Sequence, residues 1–461
     1  MRIASLLSTL LLFSLPGAQA QAAQLPSAPD RNLDLYAQAS NPAPMSNSSA
    51  TKSRTTLTRA QAEQTALKNN PRVSVSQLLA LAQHQVVREA RSAELPTANA
   101  AITAEKALEA SRISAGSLTA SRLFSHAGAG GGFTQLITDF GKTHNLVLTQ
   151  KLQEQAAKAN SLATREEIVL AADQAFYDAL TAQAVLEVAK QTVNTRQSTQ
   201  TQVNQMTQNN LRSTLDLSFA NVNLSQSQLL QLDAENNADA TMATLDAVLG
   251  LDHEVTYQLI DDSTQNTSPP PDFNPLIQTA LAQRPDLQSL TFGQQSAQKF
   301  ARAQWDQMLP SVNAAGTVGT VPVRVDQYYN NNWWGGIGVN VNIPIFNGFL
   351  YSSEAKEARY RAQAEGERTR DLRDRIVRDV RTAWLQANNA YQKIGVTAEL
   401  LKQANMALQL AQTRYQLGLS SIVELSQAQL QQTSAAIDNT NAQYEYRLSL
   451  ATLNYQIGAT P

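Results

Sequence analysis

Apolar residues recur along this chain on two different periods, steps of three and four over most of its length and every second residue in a few short stretches. Leu401, Ala404, Leu408, Ala411 and Tyr415 follow the first pattern, and Val423, Leu430, Ile437, Tyr444 and Ala451 recur every seven. These are coiled-coil seams. A second stripe, Leu400, Ala407, Leu410 and Leu417, runs beside the first. Such a helix has two neighbours, which suits a sheet or tube of helices. Four Pro-free runs carry the pattern: Lys142 to Gln208, Leu211 to Leu249, Phe349 to Leu417, and Leu419 to Ile457. At 1.5 Å per residue the longer ones would reach roughly 100 Å. Two shorter helical approaches, Leu57 to Glu94 and Leu276 to Met308, each stop at a proline.

The second period is clearest in WGGIGVNVNIPIFNG, where Ile337, Val339, Val341, Ile343 and Ile345 point one way. Gly336, Gly338, Asn340, Asn342 and Pro344 point the other. A half-buried strand of a soluble protein alternates too. Length favours a bilayer, because a tilted membrane strand takes about 9 to 11 residues, and Trp333, Trp334 and Phe346 stand where the interfaces would fall. SVNAAGTVGT alternates more weakly, and TANAAITAE and GFTQLITDF fill the same slots earlier in the chain. Four strands cannot close a barrel, which needs about eight or more, and an open edge in lipid costs several kcal/mol per unsatisfied group. Several copies must therefore share one barrel.

The plan is written twice. ALKNNPRV matches ALAQRPDL with Pro71 to Pro285 a shift of 214, and Pro96 to Pro310 repeats it. Further on, AFYDALTAQ matches AWLQANNAY, NLRSTLDL matches GLSSIVEL, and LDAVLG matches LNYQIG, all at a shift of 208. The expected organisation is a signal peptide at 1–20, a flexible arm at 21–56, repeat 1 at 57–250, a linker at 251–275 containing STQNTSPPPDFNP, and repeat 2 at 276–458. Membrane strands are expected at about 97–107, 131–140, 311–320 and 334–346. The signal reading rests on Arg2, the apolar run Ile3 to Leu15, and the small-residue site Ala18-Gln19-Ala20.

Composition then removes whole classes of function. Lys plus Arg number 36 against 38 Asp plus Glu, a net charge of -2, so no basic field exists for nucleic acid. Cysteine is absent, which excludes disulfides and thiolate chemistry, and the four His are scattered without metal-ligand spacing. FGKT at Phe140 to Thr143 is no phosphate loop, since the motif needs Gly where Leu136 stands. SHAGAGGGF reads as a flexible loop between strands, and the mixed-sign run Glu367 to Arg381 as a solvated, ion-paired helix face. No catalytic constellation and no cofactor motif stands out. The expectation is a protein that is not an enzyme.

With these features in place the chain resembles the TolC family of outer-membrane efflux and export channels. The likeness covers roughly residues 57 to 458, and LPSVNAAGTVG, VNVNIPIFNGFLYSSEAKEARY, RYQLGLSSIVEL, QLITDFGKTHN and NLRSTLDL carry it. The implied fold is mainly α with a transmembrane β part. Two repeats would give four strands per chain to a homotrimeric 12-stranded barrel, continued by a long α-helical coiled-coil barrel. The implied partners are outer-membrane lipid, a periplasmic adaptor (membrane fusion) protein, and an inner-membrane pump of RND, ABC or MFS type, in a Gram-negative bacterium. The resemblance also assigns the helix-to-helix turns, with Asn210, Leu211, Gly418 and Leu419, to adaptor contact. It places Asp216 and Glu424 at the pore constriction and makes Tyr415 with Asp216 a candidate latch, while a second pore acid of some members aligns with Gln427. Asn210 departs from the family's common Gly. An ordinary helix N-terminal role for the two acids stays open, and so does a secreted coiled-coil scaffold or adhesin without a channel.

Overall fold

The structure, a computed structural model, describes residues 55–108, 112–115, 118–122, 125–251, 257–261, 268–322 and 327–459. The expected signal peptide and all but the last two residues of the arm lie outside them. The described elements belong to one unit, Arg54–Pro461.

Each helical approach is two helices, not one. α1 (Arg59–Asn69) gives way to α2 (Pro71–Ser92), and later α5 (Phe273–Gln283) gives way to α6 (Pro285–Asp306). The residue before a proline is pushed out of the helical region. Asn70 sits accordingly at φ -67, ψ 122 and Arg284 at φ -59, ψ 121. Each proline then occupies the first turn of the next helix, where its missing N–H costs nothing. Thr58 opens α1 with a reciprocal cap, accepting from Gln61 N–H at 3.3 Å while Gln61 Oε1 accepts from Thr58 N–H at 3.0 Å.

The long helices are α3 (Lys142–Gln208), α4 (Thr214–Leu249), α7 (Leu350–Gln416) and α8 (Ile422–Gln456). α3 and α7 each hold 67 residues, roughly 100 Å at 1.5 Å per residue. α3 packs on α4, α7 on α8, and α3 also meets α8. Two apolar clusters repeat the plan of the sequence. One gathers Ile168, Phe176, Leu180, Leu245 and Leu249, the other Ile376, Val380, Ala383, Leu453 and Ile457. Alanines are frequent in both seams (Ala172, Ala179, Ala383, Ala387), which lets backbones approach closely. A parallel pair, β1 (Thr55–Thr58) with β6 (Tyr257–Ile260), ties the junction of the expected arm and repeat 1 to the expected linker, with Leu57 and Leu259 buried in the first cluster.

A carboxyl pair lies against that cluster. Asp173 of α3, 4% exposed, accepts from Arg59 Nη1 at 3.3 Å, and buried Glu63 lies 3.4 Å from Arg59 Nε. Loss of hydration drives the Asp173 carboxyl up to about 7, against the pull of Arg59 and with a further push from Glu63.

Of the predicted seams, Ala404, Ala411 and Tyr415 are buried, whereas Val423 and Leu430 face outward. Near the turn the inward stripe of α8 is instead Ile422, Leu425 and Ala428, while farther along Tyr444 packs on the first cluster and Ala451 is buried, as the predicted seam requires. The second stripe of α7, Leu400, Leu410 and Leu417, is exposed. Charges in the run 367–381 pair locally, Arg370 with Glu367 at 3.7 Å and Arg375 with Asp371 at 2.9 Å, on a solvated face.

The strands number eight in three sheets among the described residues, more than the four expected. Besides β1 with β6, a short pair β3 (Arg112–Ala115) and β4 (Leu118–Arg122) forms its own sheet. The four expected segments make the remaining sheet. These are β2 (Thr97–Glu105), β5 (His126–Thr138), β7 (Ser311–Thr320) and β8 (Trp334–Asn342), antiparallel throughout in the order β2-β5-β7-β8.

Two expectations need correction here. SHAGAGGGF is no loop, because His126 to Phe133 pair with β2 and Ala129 to Phe133 pair with β7 as well. Its glycines allow the close approach: a Cβ on Gly131 would stand 3.2 Å from the Asn99 carbonyl oxygen, and one on Gly130 3.1 Å from that of Val318. Ile343 and Ile345 are not in a strand. β8 ends at Asn342, which pairs with the first residue of β7, Ser311, so nothing remains beyond it to bond, and Pro344 has no N–H to offer.

Candidate tip and membrane-facing site

Register decides what each face of the sheet presents. Ala98, Ala100 and Ile102 stand opposite Phe133, Gly131 and Ala129; these stand opposite Gly316, Val318 and Thr320, and Gly316 stands opposite Ile337. Val339 and Val341 continue the row beside Ala314 and Val312. Because the side-chain period is two, these residues share one face. The other carries Thr97, Asn99, Thr103, Thr134, Asn313, Thr317, Asn340 and Asn342. Thr97 and Thr134 hydroxyls meet there at 2.7 Å. On the apolar side the Phe133 ring lies over Gly316, in the space a Cβ would fill. Ile337 is 80% exposed and Val339 64%. The two outer strands, β2 and β8, have one bonded neighbour each.

Sheet passes into helix through two successive left-handed residues in both repeats, Phe140-Gly141 before α3 and Gly348-Phe349 before α7. Glycine adopts this freely, while each Phe pays roughly 1–2 kcal/mol. Asp139 offsets part of that at the first junction by accepting from Thr143 N–H at 2.8 Å.

At the far ends of the long helices the two turns have one construction. Asn210 (φ 58) and Gly418 (φ 74) are left-handed, as their residue types predict. Leu211 N–H donates to Met206 O and Leu419 N–H to Arg414 O, both at 2.8 Å, closing matching Schellman turns. Ser213 and Ser421 then cap α4 and α8, accepting from Asp216 N–H at 3.1 Å and Glu424 N–H at 3.3 Å. Leu211 (72%) and Leu419 (67%) project into solvent.

The acids of the matched positions have different local partners. Asp216 completes a capping box, accepting from Ser213 N–H at 3.3 Å. Glu424 pairs with Arg414 at 3.2 Å. Tyr415 is 2% exposed, packed with Val203, Ala220, Ile422 and Leu425, and its hydroxyl has no hydrogen-bond partner. Burial drives the phenol pKa up, Asp216 adds to the shift and Arg212 opposes it. Within one chain Tyr415 and Asp216 thus share a neighbourhood without a bond between them.

Sequence reasoning passed over Arg212. Its guanidinium lies 4.2 Å from the centroid of the Tyr415 ring and donates to the Tyr415 carbonyl, tying one turn to the other. The signal was present in the aligned turns, where NLRSTLDL has Arg against Ser420 in GLSSIVEL. Higher up, Asn223 donates to Ser426 at 2.6 Å and Gln429 to Thr199 at 3.2 Å, so polar bridges join the two hairpins near their ends.

No group of three or more potential metal ligands occurs among the described residues, and no described helix is long and apolar enough to cross a membrane.

The model of the family described as outer membrane efflux protein matches residues 276–459. Outer membrane protein TolC of Salmonella enteritidis is 22% identical over 339 residues, which is 70% of this chain and 67% of that protein. The structure of CusC superposes with a TM-score of 0.78 at 17% identity, covering 87% of this chain and 92% of that one. For the outer membrane protein VceC of Vibrio cholerae the TM-score is 0.75 at 18% identity, covering 87% and 96%. CusC is a protein that forms a transmembrane channel. The matched second repeat, the relatives and the shared helix-and-strand architecture lead to one conclusion: residues 276–459 belong to the outer membrane efflux protein family, and the chain is a TolC-like outer-membrane efflux channel of a Gram-negative bacterium.

Proposed function

We propose that three copies of the chain close their four-stranded sheets into one 12-stranded barrel, and that their long helices continue it as a coiled-coil tunnel through the periplasm. The observation that carries this reading is the sheet itself, with one apolar face running across all four strands and two outer strands that lack a second neighbour. In lipid such edges must pair, and four strands are too few to close alone. Ile337, Val339 and Val341 then face lipid. The second stripe of α7, Leu400, Leu410 and Leu417, is the face assigned to a neighbouring copy. A secreted coiled-coil scaffold would leave the amphipathic sheet without a use.

The conduit is passive. Its turns, with Asn210, Leu211, Gly418 and Leu419, are assigned to a periplasmic adaptor, beyond which an inner-membrane pump of RND, ABC or MFS type supplies the energy. Three copies of Asp216 and Glu424 would ring the pore with negative charge, which admits cations and repels itself unless open or bridged. Tyr415 would latch the closed tip.

Replacing Asp216 and Glu424 together with Ala should raise single-channel conductance in planar bilayers and weaken block by divalent cations. Unchanged currents and block would remove the constriction assignment. Extraction from the outer membrane as a heat-modifiable trimer supports the assembly, and a soluble periplasmic monomer would refute it.

A further inference from the structure

Between α3 and α8, with Leu408 of α7 as one wall, lies a cavity of about 120 Å³ that the channel reading does not use. Its lining is polar on several sides: Gln191, Thr192, Thr195 and Arg196 from α3, and Gln432 and Thr433 from α8. Arg196 is 8% exposed and its Nη1 has no hydrogen-bond partner. No carboxylate lines the space. Lost hydration brings the guanidinium down to about 10, so it stays charged at neutral pH.

A buried charge without a partner is costly, by several kcal/mol even after relaxation. The surrounding hydroxyls have no protons to spare, since Thr192, Thr195 and Thr433 each donate to a carbonyl of their own helix, at 2.8, 3.0 and 3.1 Å. Their lone pairs and the amide of Gln432 cannot neutralise a cation. Water could fill the space but not balance the charge. We propose that the cavity is a binding site for one small inorganic anion, a halide or a tetrahedral oxyanion, held by the Arg196 guanidinium with Gln432 as a second donor. Size sets the class, because drug-sized and nucleotide ligands take pockets of about 300 Å³ or more. The site joins the α3/α4 hairpin to the α7/α8 hairpin, and Arg196 stands about three turns from the end of α3. An anion there would hold the two hairpins together close to the turns.

Bromide is the direct probe. Crystals of the full chain soaked in bromide should show an anomalous peak beside Arg196 Nη1. In detergent at constant ionic strength, exchanging gluconate for chloride, phosphate or sulfate should raise the unfolding temperature by several degrees, and the most effective ion identifies the preferred ligand. Arg196→Met keeps the bulk and removes the charge, and Arg196→Gln keeps a donor. Both should lose the anion-dependent shift, while Arg196→Met in gluconate should be at least as stable as the parent. The proposal fails if the soaked parent crystal shows no peak there, if the variants keep the full shift, or if a carboxylate of a neighbouring copy is found paired with Arg196 in the trimer.

Discussion

Replacing Asp173 with Asn should make the protein more stable above neutral pH and flatten its response to pH. The carboxyl is buried between α1 and α3, where Arg59 and Glu63 face it from α1 and Tyr177 lies on its own helix. Arg447 of α8 and Asp261 complete the charged surroundings of that tyrosine. The folded-state value of about 7 stands above the ordinary 3.8, so the folded chain holds a proton that the unfolded chain has released. Stability is therefore full below about pH 4, falls as pH rises toward 7, and levels off beyond. At about 1.4 kcal/mol per pH unit the loss has a ceiling of roughly 4 kcal/mol. Asn keeps the shape and can still accept from Arg59 without having to shed a proton. Glu63 is left as the one carboxylate beside that guanidinium, at 3.4 Å. Thermal unfolding of parent and variant, followed by circular dichroism in the same detergent at pH 5, 6, 7 and 8, isolates the effect as a difference between the two curves. The variant should gain on the parent from pH 5 to 7, gain little more beyond, and exceed it by a few degrees at pH 8. A difference that does not change with pH, or a variant uniformly less stable, would show that Asp173 is ionised and paired with Arg59, and would refute the argument.

The other expectations concern the sheet and the turns. Val341→Arg should reduce trimer yield in outer-membrane fractions, at about 2–4 kcal/mol per copy for a charge at mid-bilayer, and normal yield would mean that this face does not meet lipid. Arg212→Ala removes the stacking and the donor that link the turns, so hydrogen exchange of amides in 206–213 and 414–421 should speed up several-fold; unchanged protection would reduce Arg212 to a surface charge. At Gly418 (φ 74) a β-branched residue is strained, so Gly418→Val should cost about 1–2 kcal/mol by thermal unfolding, whereas Asn210→Gly should be neutral or slightly stabilising.

Legibility in the sequence followed the range of the interaction. α3 begins and ends where the Pro-free run places it, Lys142 to Gln208, because helix formation is local and a left-handed Asn210 stops it. The repeat matched one turn to the other, and the structure gives both the same serine cap, Ser213 and Ser421. Errors arose where a distant partner decides. The glycines of β5 look like loop residues until strands on both sides press against them, and Ile345 looks like a strand residue until β7 proves too short to reach it. The stripe Val423 and Leu430 is as periodic as its buried neighbour, and nothing in one helix says which of two apolar stripes its own chain will cover.

By itself, then, the sequence determined the elements: four long helices, the four strand segments of the large sheet, their duplication, and the residue types at each turn. Those follow from periodicity, proline and glycine, which act within a few residues. The tertiary structure alone decided the pairing order β2-β5-β7-β8 with its continuous apolar face, the tie from Arg212 to Tyr415, and the burial of Asp173 and Arg196. The junction of β5 with β7, the tie and the two burials depend on which surfaces meet across 100 residues or more, and on the loss of water when they do.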